Sequence, residues 1–139
     1  NAEALGCELH PFSFIHQGTK VDVPNPVTLI FMKLAAMRDR RLVSQNDAKS
    51  PEERDFEQSQ SQKHAQDVFR IMAMMTREES GHATEVLEAT RETNVFADAV
   101  AIYREYFHSD DAWGTHVVAN MWSDGDLQLI KGMLGRWFY

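Results

Sequence analysis

Between Val27 and Met37 the chain runs eleven residues with a single charge, Lys33, and no polar face. Asn25-Pro26 just upstream is a strong helix start, with asparagine at the N-cap and proline at the first helical position. The pattern predicts a helix over 25–42, closed by Arg38, Asp39, Arg40 and Arg41, whose cations suit the negative end of the helix dipole. A helix apolar on nearly every side has to be buried. The rest of the chain must therefore wrap around this one. With 139 residues there is room for one core.

Upstream, the aromatic and β-branched segment from Cys7 to Ile15, the turn residues around Gly18, and the alternating stretch from Lys20 to Pro24 predict a β-hairpin region over 1–24. Downstream, 43–62 holds four serines, four glutamines and seven charged residues, with almost nothing to bury. That composition predicts a mobile polar loop, with some helix around Glu52 to Phe56. Helical periodicity returns at Lys63 to Thr76. A capping box at Thr76 and Glu79 opens the next helix, which Gly81 is expected to interrupt. Another runs from the cap at Asn94 to Phe107, and two more are centred on Trp113 to Met121 and Leu127 to Trp137. The fold expected is α+β and mostly helical: an N-terminal hairpin, then five or six packed helices in one domain, with 63–139 as a helical bundle.

Fourteen basic against 21 acidic residues leave a net charge of −7, which argues against an extended nucleic-acid surface. The apolar run is too short to span a bilayer, so no membrane partner is expected. One cysteine, Cys7, allows neither an internal disulfide nor a thiolate metal cage, and suits a reducing, cytoplasmic setting. The six histidines show no paired zinc spacing, and Glu78, Glu79, His82 and Glu85 read as a solvated acidic face. The two tryptophan- and methionine-rich stretches, around Met72 and at Trp137-Phe138-Tyr139, read as core.

Three polar residues stand out by context. Glu8 falls on the expected first strand, followed by Leu9-His10-Pro11. Lys33 sits inside the apolar helix, where a buried ammonium needs an anion. Asp67 follows Lys63-His64 on the next helix. Each also has an ordinary structural reading: an outward hairpin residue, a lysine snorkelling toward Arg40, and a surface carboxylate paired with Lys63 and Arg70.

Their order is more telling than any one of them. Glu8-Leu-His-Pro, the hairpin, Val21-Asp-Val-Pro24, the helix segment Lys33-Leu-Ala-Ala-Met-Arg38 and then Lys63-His-Ala-Gln-Asp67 resemble the nucleotidyltransferase superfamily. The resemblance is to its small bacterial AbiEii-like and aminoglycoside-nucleotidyltransferase-like branches, and it covers about Gly6 to Ile71, half the chain. It implies that Glu8 is the third active-site carboxylate, a metal ligand or the base for the acceptor hydroxyl. It implies that Lys33 meets nucleotide phosphates, with Arg38 and Lys63 as further phosphate contacts, and that Asp67 orients the lysine or binds acceptor. Mg²⁺ and an NTP are the implied cofactors.

The superfamily's Gly-Ser and paired Asp-x-Asp motifs lie upstream of the third carboxylate, and neither occurs among the seven residues before Glu8. Asp124-Gly-Asp126 lacks the Gly-Ser turn and is not counted. The expectation is therefore a C-terminal portion of a nucleotidyltransferase-like protein, inactive by itself and without tight cofactor binding. Glu8, Lys33 and Asp67 should converge within roughly 10 Å on one concavity. An exposed strand edge left by the missing half predicts a homo-oligomer. The competing reading is a non-enzymatic helical binding or assembly module. A small metal-dependent hydrolase ranks below both.

Overall fold

A computed structural model describes residues 2–139. After a short 3-10 turn at Ala2–Ala4, the elements are α1 (Leu5–Leu9), β1 (Phe12–His16), β2 (Thr19–Val23), α2 (Pro26–Ser44), α3 (Pro51–Met74), α4 (Arg77–Thr90), α5 (Asn94–Phe107), α6 (Trp113–Val118) and α7 (Asp124–Phe138). The class is α+β with one antiparallel hairpin, as expected. No described helix is long and apolar enough to cross a membrane.

α2 is the centre. Val27, Ile30, Phe31, Leu34 and Met37 are buried on it, and α1, α3, α4 and α5 pack around it. Its start is built as the Asn-Pro pair predicts: Asn25 Oδ1 accepts the Thr28 backbone N–H at 2.8 Å. The same side chain reaches backward, its amide donating to the carbonyls of His10 at 2.8 Å and Gly6 at 3.2 Å. Asn25 is thus fully buried and ties the N-terminal segment to the central helix.

That tie explains a correction. Residues 5–9 form a helical turn, so Glu8 lies on α1 and not on a strand; the hairpin begins only at Phe12. The Gly6 carbonyl accepts both the Asn25 amide and the His10 backbone N–H, closing the turn, and Gly6 lies directly against the Thr28 side chain, where a Cβ would collide with Thr28 Oγ1. The hairpin itself pairs Phe12 with Val23 and His16 with Thr19. Gln17 and Gly18 both have positive φ, 48° and 77°, the two-residue turn whose twist matches a hairpin.

The second correction is larger. The segment 43–62 is not a mobile polar loop: α3 starts at Pro51 and is 24 residues long. Ser50 and Glu53 form a complete capping box, with proline at the first position. The polar helix is held to α2 through small residues. Ser61 is fully buried and donates its hydroxyl to the Met37 carbonyl at 2.8 Å, and Ala65 is fully buried one turn on. Asp67 therefore sits deep in a long helix and not near its start. Gly81 does not interrupt α4, and the cap of α5 is Thr93, one residue before the expected Asn94.

The remaining helices close the core with aromatics. Tyr103 stacks on Phe138 at 4.8 Å between ring centroids and on Phe107 at 5.5 Å, and Phe69 packs on Phe107 at 5.3 Å. Tyr139 stays exposed at the end of α7, its hydroxyl 2.7 Å from His108 Nδ1 and its ring beneath the Arg104 guanidinium.

Candidate functional site at the α2–α3 seam

The antiparallel packing of α2 on α3 brings their charged side chains into one ribbon. Lys33 Nζ donates to Asp67 Oδ2 at 2.8 Å, and Arg70 reaches the other oxygen of Asp67 at 3.2 Å. Seven residues along α2, the Arg40 guanidinium bridges both oxygens of Glu57 at 2.9 and 3.0 Å. Lys33 and Asp67 are well covered, with side chains 30% and 18% exposed. Burial alone would raise the Asp67 carboxyl, but the hydrogen bonds and charges of Lys33 and Arg70 outweigh it and hold the group below its ordinary range.

His64 lies one helical turn before Asp67, on the same ribbon. Its Nδ1 is buried without a hydrogen-bond partner. Burial, with the cations Lys33, Arg40 and Lys63, pushes the imidazole below its usual range, and Asp67 only partly opposes them. In the sequence His64 stands among histidines without zinc spacing and inside the Lys63-His-Ala-Gln-Asp67 run, neither of which marks it as half-buried beside Lys33. Its place three residues before Asp67, on the helix face turned to Lys33, was the signal available for this role.

The other expected site residues distribute differently. Glu8 is exposed on α1 and makes no hydrogen bond or ion pair among the described residues, so it does not join Lys33 and Asp67 in a shared contact. Arg38 is spent structurally: its guanidinium holds Asp39 at 3.1 Å and both oxygens of Asp98 at 2.9 and 3.0 Å, tying α2 to α5. Lys63 is exposed and does not pair with Asp67. Cys7 is half-buried with its sulfur 3.8 Å from that of Met32. Burial and the Glu8 charge both raise the thiol, which is the inert form.

Among the described residues there is no group of three His, Cys, Asp or Glu side chains able to hold a metal ion. A lone exposed Glu8 does not make a cradle for Mg²⁺. The residues present do not fit that ion.

Two concavities flank the ribbon. A groove of about 510 Å³ runs along α2 past Met32, Asp39 and Arg40. A shallower one of about 240 Å³ is bounded by Leu29, Arg70, Met74 and Glu79. Along the ribbon Lys33 and Arg70 meet Asp67 and Arg40 meets Glu57, while Asp39 and Glu79 line the flanking concavities beside Arg40 and Arg70. No protein-family model, curated protein or solved structure matches this chain.

Proposed function

We propose that this chain is the C-terminal part of a nucleotidyltransferase-like protein. The whole protein would transfer a nucleoside monophosphate from an NTP to a hydroxyl or protein acceptor in a reducing, cytoplasmic compartment. This portion contributes phosphate-facing helices and does not carry out transfer alone. The observation that supports the reading is the Lys33–Asp67 contact at 2.8 Å. A lysine inside an apolar helix, held by a carboxylate from the next helix, has a fixed ammonium that can trade part of its pairing for a phosphate oxygen.

The test is titration of each of the four NTPs, with magnesium, into the ¹⁵N-labelled chain. Expected are amide shifts confined to α2 and α3 at millimolar ligand, with affinity reduced roughly tenfold or more in Lys33→Met, as loss of a charge-assisted hydrogen bond implies. Absence of any shift along the seam with all four NTPs would sink the reading.

The second reading, a non-enzymatic binding or assembly module, is favoured by a different observation. The N-terminal segment leaves Leu5, Leu9, Phe14 and Ile15 between 42% and 69% exposed, more apolar surface than so short a segment ordinarily shows to water.

A further inference from the structure

The hairpin is a two-stranded sheet, and no other described strand pairs with either outer edge. Such a ribbon is marginal in water, and an open edge offers unpaired backbone donors and acceptors to another strand. Which groups face outward follows from the turn. A two-residue loop with positive φ at both positions closes on a pair that exchanges both backbone hydrogen bonds. That pair is His16 and Thr19, so Phe14–Val21 and Phe12–Val23 are bonded pairs as well. Thr19, Val21 and Val23 therefore turn their backbone groups toward β1. Lys20 and Asp22 turn theirs to the free edge.

The side chains of Lys20 and Asp22 share one face of the sheet, 3.8 Å apart and 68% and 52% exposed. Asp22 is also steadied by the hydroxyl of Ser13, its cross-strand partner. Pro24, with no N–H to offer, ends the edge.

We propose that the outer edge of β2 is a self-recognition surface, which pairs antiparallel with β2 of a second copy about a two-fold axis at Val21. In that register Lys20 of each copy lies opposite Asp22 of the other. Those are the residues whose backbone groups face outward, so each such pair exchanges two backbone hydrogen bonds. Four charges then alternate in sign around the axis. Sliding one copy by two residues either way sets Lys20 against Lys20 or Asp22 against Asp22, and like charges directly opposite are unfavourable. The edge is complementary to itself in this register and repels itself in its neighbours.

The outer edge of β1 presents Ser13 and Ile15, which carry no charge to select a register. The product is a four-stranded sheet in the order β1-β2-β2-β1, past the size at which a sheet is stable. Its Phe12, Phe14, Val21 and Val23 side chains run on one continuous apolar face. This proposal concerns the hairpin edge alone and stands or falls independently of nucleotide binding at the α2–α3 seam.

The experiment is sedimentation velocity on the full chain across a concentration series, with charge-reversal variants. The unsubstituted chain is expected to dimerise. Lys20→Asp and Asp22→Lys should each weaken self-association by roughly tenfold or more, since both cross-axis pairs become repulsive. An equimolar mixture of the two variants should form a mixed dimer. The chain carrying both changes, Lys20→Asp with Asp22→Lys, should dimerise again, which separates a lost interface from a misfolded hairpin. The proposal is overturned by an unsubstituted chain that stays monomeric throughout. It is equally overturned by a dimer that both single reversals leave unchanged, or by variants that fail to pair with each other.

Discussion

The ammonium of Lys33 and the carboxylate of Asp67 meet at 2.8 Å across a sequence separation of 34 residues. Lys33 has no other hydrogen-bond or ion-pair partner among the described residues, whereas Asp67 keeps Arg70. The two ends of the pair are therefore unequal. Asp67→Ala strips a partly buried ammonium of its partner and is expected to destabilise by about 1–3 kcal/mol. Lys33→Met retains the apolar stem and leaves Asp67 paired, so it should cost less. Urea unfolding of the two variants against the parent checks the order. Equal losses would mean that the lysine is not carried by this contact.

The pH dependence has a definite sign. Asp67 is held below the ordinary carboxyl value of 3.8 in the folded chain, so the unfolded chain takes up its proton first as the solution is acidified. The stability contributed by the pair is complete above the unfolded value and is lost as pH falls through it to the folded one. In Asp67→Asn the stability curve should flatten in that acid window and run parallel to the parent above it. A chemical-denaturation series across the acid range measures this.

His64 titrates in a separate window. Burial and then the Lys33 charge hold its imidazole below the ordinary 6.5, so the folded chain resists protonation more than the unfolded one. Stability should decline as pH drops below 6.5 toward the folded midpoint. By NMR the His64 ring should show a midpoint below 6.5, and Lys33→Met should move it upward because a repelling cation has gone. A midpoint unmoved by that substitution would place the ammonium too far from the ring to matter.

The buried amide of Asn25 predicts a contrast between two small substitutions. Its Oδ1 caps α2 and its Nδ2 donates to His10, Gly6 and Thr28 Oγ1. Asn25→Ala removes the cap and one donor from each acceptor, while Gly6 keeps the His10 backbone N–H at 3.0 Å and the His10 carbonyl keeps the His82 ring at 3.3 Å, so the loss should be about 1–3 kcal/mol, most of it from the cap. Asn25→Asp keeps the capping oxygen, yet it turns a donor into an anion that faces acceptors. It should be at least as damaging as alanine, although aspartate is ordinarily as good an N-cap. Thermal unfolding of the two variants decides it.

What could be read from the residues, and what could not, follows from these contacts. α2 was legible from both ends, because an Asn-Pro start and an unbroken apolar run have one reading. The first half of α3 was not. Between Ser50 and Gln62 the helix buries almost nothing large; its seam is Ser61 and Ala65, residues whose burial depends on the partner helix coming close. The capping box at Ser50 and Glu53 with Pro51 was the signal, and it was outweighed by the density of serine and glutamine around it. Residues 7–9 resemble strand in the sequence because cysteine and leucine run directly into a true strand. The helical turn there depends on Asn25, which is remote in sequence. Among the candidate site residues, Lys33 and Asp67 were singled out and lie together, while the bidentate Arg38–Asp98 pair crosses 60 residues and leaves no local trace.

Glycines in the helices supply a last prediction, in which the same substitution has opposite signs. At Gly114, in the first turn of α6, a Cβ would lie 2.5 Å from Phe107 Cε1 and 2.6 Å from the Tyr106 carbonyl oxygen. Phe107 is packed between Tyr103 and Phe69, and the carbonyl is backbone, so neither can yield cheaply. Gly114→Ala should destabilise by about 1–3 kcal/mol, as overpacking of a filled core does. At Gly81 in α4 and Gly132 in α7 a Cβ meets nothing within 4 Å. Both lie inside helices, where alanine is favoured over glycine by about 0.8–1 kcal/mol. Gly81→Ala and Gly132→Ala should each raise the melting temperature. The Gly81 result bears directly on α4: a gain requires the helix to run unbroken through that position, whereas a kink or break there would turn the gain into a loss.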